Sequence, residues 1–152
     1  WPDERCASMR FLARCCQAMG QEGEAESWLW RAAGEAPYLR EPWVELAALL
    51  PDIPEELRRE ENLYRGCQSR VWLAVSAENG TVRLNVDSDT LLIRGLLYLF
   101  RDLLDGRTVD EVLSARFDLL QELPLAEHFN SRRTAGIAGL LGEIQRRLKN
   151  GL

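Results

Sequence analysis

A chain of 152 residues, 46% hydrophobic and 28% charged, is long enough for one main core with a small appended unit and too apolar to be disordered. Its formal net charge of -5 and sequence pI of about 5.0 argue against nucleic acid or an anionic membrane as the main partner. No apolar run approaches the roughly 20 residues that a membrane helix needs, and no basic segment with an apolar signal core opens the chain, so the expected compartment is the cytoplasm.

In chain order, Met9, Phe11, Leu12, Cys15, Cys16 and Met19 recur with helical spacing between Cys6 and Gly20 and predict an amphipathic helix ending at the glycine. A second helix is predicted over Glu24 to Glu35, with Ala25, Trp28, Leu29, Ala32 and Ala33 inward. A third runs from about Glu41 to Leu50 with Trp43, Val44, Leu46, Ala47 and Leu50 inward, closed by Pro51. Leu12, Ala25, Leu29, Ala32 and Pro37 resemble the pattern of a tetratricopeptide repeat. One repeat and part of another cannot stack into a solenoid, so these helices are expected to pack on their own domain. Residues Pro51 to Glu61 read as a charged surface linker.

The run Val71-Trp72-Leu73-Ala74-Val75 predicts a strand, Glu78-Asn79-Gly80 its turn, and Thr81 to Val86 the returning strand. Asp87, Ser88 or Asp89 is expected to cap a largely buried helix from about Thr90 to Asp105, ended by Gly106 in the left-handed region. Thr108-Val109-Asp110-Glu111 has the capping-box pattern for a short helix. Another short helix is expected near Phe117 to Leu123. The last helix runs from Asn130 or Ser131 to about Asn150, with Ile137, Leu140, Leu141, Ile144 and Leu148 as its apolar stripe and Gly136, Gly139 and Gly142 as a small face for a close neighbour.

The four cysteines, Cys6, Cys15, Cys16 and Cys67, show no zinc-ligand spacing, and only one histidine, His128, is present. Cys15 and Cys16 diverge by about 100 degrees on a helix and read, with Cys6, as packing residues. His128 lacks convergent partners and reads as structural. Cys67 differs: it follows Gly66, whose conformational freedom is expected to bend the loop and present the thiol at one end of the hairpin. Arg65, Arg70 and Arg133 are expected to lower its pKa. Arg133 is expected in the first turn of the last helix, where a cation opposes the dipole and calls for an outside interaction.

The pieces Glu60-Glu61-Asn62, Gly66-Cys67-Gln68-Ser69-Arg70-Val71-Trp72, Asp87-Ser88-Asp89 leading into Ile93-Arg94-Gly95-Leu96, and Gly106-Arg107-Thr108 with Glu111 resemble the SufE family. His128-Phe129 with Arg133 and Gly136 falls where that family has a His-Leu-Thr-Pro-Ser-Arg type of segment, although the proline is missing here. The resemblance covers residues 51 to 152, leaving residues 1 to 50 as a helical segment. Residues Tyr38 to Pro51 equally fit the helix that precedes the cysteine loop in the family. It implies an α+β fold, a small antiparallel sheet with helices packed on one face. It also implies a sulfur acceptor that serves a cysteine desulfurase of the SufS or CsdA type, carries sulfane sulfur as a persulfide on Cys67, and passes it to an iron-sulfur scaffold. No cofactor of its own is implied, since pyridoxal phosphate belongs to the desulfurase. Partner contacts are implied at Gly66, Gln68, Ser69, Arg70, Asp87, Asp89, His128 and Arg133. The competing classes are a helical interaction module in which Cys67 is only structural, and an independent thiol enzyme, for which no acid-base constellation is evident.

Overall fold

The computed structural model describes residues 1–118 and 131–151. Its centre is the hairpin of β1 (Val71–Glu78) and β2 (Thr81–Ser88), paired antiparallel from Val71 opposite Ser88 to Glu78 opposite Thr81. The two turn residues, Asn79 and Gly80, have φ of 52° and 79°, the left-handed pair that matches the twist of a two-residue hairpin. Alternation puts Val71, Leu73 and Val75 on one face with Val82, Leu84 and Val86, and this face is the buried one. Across it lies α4 (Leu91–Leu104), which buries Ile93, Leu96, Leu97, Phe100 and Leu104. Gly106, with φ of 77°, ends the α4 segment, and α5 (Val109–Ser114) begins at a capping box between Thr108 and Glu111. The final helix, α6 (Ser131–Asn150), adds Ile137, Leu140, Ile144 and Leu148 to the core.

Before the hairpin come α1 (Pro2–Ala18), α2 (Glu22–Glu35) and α3 (Arg40–Leu49). The face that α1 buries differs from the predicted one: Phe11 and Met19 are 59% and 66% exposed and Leu12 is exposed too, while Cys6, Ala13 and Cys16 are inside. Cys6 clusters with Ala32 and Ala36 at the far end of α2, and Ala13 joins the main core with Leu29 and Ala33, a contact built largely of small residues. Hydrophobicity alone pointed to the larger side chains. Cys6 and Cys16 are packing residues as expected, and Cys15 is half-buried. Leu29 and Ala33 of α2 join the same core as Trp43, Leu46 and the sheet. The α3–α4 crossing is closer still, because a Cβ at Gly95 would collide with the Trp43 carbonyl.

Asp87 is not a cap. Its residue is fully buried, and its carboxylate pairs with Arg58 of the linker and Arg94 of α4. Arg94 also donates to the Leu50 carbonyl at 3.2 Å, and Arg58 lies 5.2 Å from the centroid of Trp72, the cross-strand neighbour of Asp87. One carboxylate thus holds the linker over Trp72, at the end of the sheet face that α4 does not cover. Thr90 takes the N-cap position of α4 without a side-chain cap bond. The short helix expected near Phe117 to Leu123 lies mostly outside the described residues.

Three expectations follow. Asp87→Asn leaves two guanidinium groups facing a neutral amide, and urea unfolding should show a loss of about 3 kcal/mol. Where α2 meets α4, partial burial first and a hydrogen bond with Glu26 second push Asp102 up to about 6. A carboxyl whose folded pKa is raised contributes stability below its unfolded value and loses it as pH rises through 6. Asp102→Asn should therefore raise the melting midpoint at pH 8 and leave it nearly unchanged at pH 4. Finally, a chain beginning at Tyr38 forfeits the burial of Leu29, about 1.5–3 kcal/mol, together with that of Ala33. It should melt roughly 5–10 °C below the full chain, whereas an equal midpoint would mean that α1 and α2 only lean on the rest.

Candidate functional site

Residues 64–70 form a loop clamped at both ends. On the entry side, Leu63 forms a bridge with Trp72, and the Tyr64 amide donates to the Val71 carbonyl at 2.8 Å. On the exit side, the Arg70 amide donates to Asp89 Oδ1 at 3.2 Å, the Ser88 hydroxyl donates to the Arg70 carbonyl at 2.7 Å, and Thr90 donates to Ser69 Oγ at 2.9 Å. The Asp-Ser-Asp-Thr segment at the end of β2 thus fastens the loop through Ser88, Asp89 and Thr90 while Asp87 reaches the linker. A cleft of about 330 Å³ opens along the loop, lined by Glu60, Tyr64, Arg65, Cys67, Gln68 and Arg70 among others.

Cys67 is half-buried against α6. A Cβ on Gly136 would stand 2.7 Å from its Sγ and 2.7 Å from the Gly66 carbonyl oxygen. Gly139, one turn further, receives the Tyr64 hydroxyl, which a Cβ there would meet at 2.6 Å. Two of the three glycines of the predicted small face are therefore the bed on which the loop lies; Gly142 has nothing near it. Gly66 is a glycine for the same kind of reason. Its φ is not positive, and a Cβ would fall on the Tyr64 ring, so close approach and not backbone angle demands it.

The electrostatics run opposite to expectation. Burial pushes the Cys67 thiol up from its ordinary value, and among the described residues neither Arg65 nor Arg70 contributes to lowering it; the Arg133 side chain lies outside the described part. Arg65 is turned to Glu60, 2.7 Å away. Among the described residues no side chain hydrogen-bonds Cys67, and no three His, Cys, Asp or Glu converge as a metal site. At this loop the described residues offer one half-buried thiol without an acid-base partner.

Of the other predicted site residues, Gln68 and Arg70 are exposed and Ser69 is half-buried, while Asp89 is exposed at the exit clamp. Asp87, buried beneath, holds the walls and presents nothing to a partner. Arg133 falls in the first turn of α6, one turn before Gly136, with its side chain outside the described part; His128 lies outside the described residues. Sequence reasoning missed Tyr64 and Arg147. From α6, Arg147 donates to the carbonyls of Asn62, Leu63 and Leu73 at 3.1, 2.9 and 2.6 Å. Glu143, held at about 2 mainly by hydrogen bonds from Arg146 and Arg147, bonds Arg147 Nε at 2.7 Å. The only signal for either residue was its spacing, Tyr64 at the start of the loop and Arg147 one residue before the stripe position Leu148.

The family described as "SufE: Fe-S metabolism associated domain" matches residues 41–148, from α3 through α6, leaving α1 and α2 before it. The chain is 30% identical over 111 residues to an uncharacterized SufE-like protein of Rhizobium etli, covering 70% of this chain and 75% of that protein. It is 30% identical over 107 residues to another from Rhizobium meliloti, covering 67% and 76%. The solution structure of a hypothetical protein from Thermus thermophilus shares the fold, with a TM-score of 0.60 at 23% identity over 72% of this chain and 80% of that one. With its clamped cysteine loop and its α+β frame, the chain belongs to the SufE family, whose domain is associated with iron-sulfur metabolism.

Proposed function

We propose that the protein accepts sulfane sulfur from a cysteine desulfurase on Cys67 and hands it on to an iron-sulfur scaffold. The observation that carries this reading is the loop itself: a thiol at the middle of a segment fastened at both ends, lying on α6, with no side chain among the described residues hydrogen-bonded to it. In the transfer, the Cys67 thiolate attacks the outer sulfur of the donor's cysteine persulfide. The donor S–S bond breaks, its cysteine leaves as a thiolate, and Cys67 becomes the persulfide with no net oxidation. The thiolate is the nucleophile, and burial works against it. Docking that lifts the loop from Gly136 therefore both exposes the sulfur and restores its acidity, so that activation is coupled to the partner. Gly66, Gln68, Ser69, Arg70 and Asp89, in the loop and its exit clamp, form the docking rim of this reading, and Arg133 and His128 are assigned to the same partner surface on the family resemblance alone. Pyridoxal phosphate is the desulfurase's cofactor, and the cytoplasm is the compartment in which such a partner would be met.

Intact mass after incubation with a desulfurase and cysteine should show one added sulfur on the wild-type chain and none on Cys67→Ser, with the melting midpoint of the variant within a few degrees of wild type. Equal stimulation of the desulfurase by both chains would instead favour a helical interaction module in which Cys67 is replaceable.

A further inference from the structure

We propose that Tyr64 is a positioning residue for the Cys67 thiol, a hydroxyl latch that holds the loop down on α6 and so sets how often the sulfur is exposed. Three loop groups touch α6 here: the Cys67 sulfur and the Gly66 carbonyl over Gly136, and the Tyr64 hydroxyl over Gly139. Of these, only the hydroxyl makes a directed bond, donating to the Gly136 carbonyl at 2.9 Å. The ring also lies where a Gly66 Cβ would be, so tyrosine, Gly66 and Gly139 form one fitted unit: a side chain at either glycine displaces the phenol. Burial pushes the Tyr64 phenol up from its ordinary value, which favours the protonated, donating form. The clamps lie at the loop ends, a backbone bond and bridge at Leu63 and Tyr64 and the Ser88, Asp89 and Thr90 side chains at Ser69 and Arg70, and leave residues 65–68 between them to pivot. The latch is the element that decides whether the middle lies down.

The inference takes its functional meaning from the sulfur-acceptor reading, yet its test needs no desulfurase. Alkylation of each cysteine by iodoacetamide is followed by peptide mapping from pH 6 to 10 in the full chain, for wild type, Tyr64→Phe and Gly139→Ala. The phenylalanine keeps the ring and loses one hydrogen bond, so Cys67 should react about fivefold faster, with its apparent titration shifted down toward that of a free thiol. Among the described residues, Glu60, Arg65 and Arg70 of the loop cleft and Glu143 and Arg147 of α6 are the charged groups around the latch, and they are unchanged in both variants. Gly139→Ala pushes the intact tyrosine off its seat and should act in the same direction, which keeps the test decisive should Tyr64→Phe fold poorly. Cys6 and Cys16, buried in the other cluster and at the α1–α2 contact, should keep their wild-type rates. A Cys67 rate and titration like wild type in both variants, or a parallel rise at Cys6 and Cys16 that signals general loosening, would overturn the latch. Faster Cys67 alkylation beside a wild-type chain that gains no sulfur from the desulfurase would uphold the latch and sink the acceptor reading alone.

Discussion

A two-stranded sheet has an open edge on each side, and unpaired backbone groups near a core cost free energy comparable to a lost hydrogen bond. How this protein closes those two edges organises everything else. The β2 edge is closed by the turn after α4: the Val82 amide donates to the Arg107 carbonyl at 2.8 Å, the Gly106 amide to the Val82 carbonyl at 2.9 Å, and the Leu84 amide to Asp105 at 2.8 Å. The β1 edge is closed by the Tyr64 amide on Val71 and by the Arg147 guanidinium on Leu73. Closing the second edge brings the cysteine loop and α6 to the same side of the hairpin, so the site is a by-product of satisfying the sheet.

Burial of Asp87 has a similar reach. A carboxylate taken out of water needs charged partners, and here they come from two distinct segments, the linker and α4. Their convergence pins the linker across Trp72 and draws the α3 end in through Arg94 and the Leu50 carbonyl. The close α3–α4 crossing at Gly95 then carries α2 against the same core. Residues 1–40, outside the family match, are thereby joined to the domain by packing through Leu29 and Ala33, even though α1 shows Phe11, Leu12 and Met19 to solvent.

The Cys67 thiol sits at a compromise between protection and reactivity. Against Gly136 it is shielded and its acidity suppressed; away from it the sulfur is free to ionise. If Cys67 is the sulfur carrier proposed above, lifting the loop changes its exposure and its pKa together, so activation can follow from the geometry of contact.

Local chemistry was legible in the sequence. The hairpin turn at Asn79-Gly80, the capping box at Thr108, the glycine stop at Gly106 and the buried stripe of the last helix all depend on short-range sterics and periodicity, so residue identities within a few positions determined them, as they determined that Cys67 lies on a loop. What α1 buries was decided by the tertiary structure, since close helix packing selects small residues that a hydrophobicity pattern passes over. So were the role of Asp87, the raised pKa of Cys67 and the seat of Tyr64 on Gly136 and Gly139. Each depends on separate segments of the chain meeting in space, across 72 residues in the bond from Tyr64 to Gly136, and burial and charge pairing are properties of that meeting, which no local window of the chain contains.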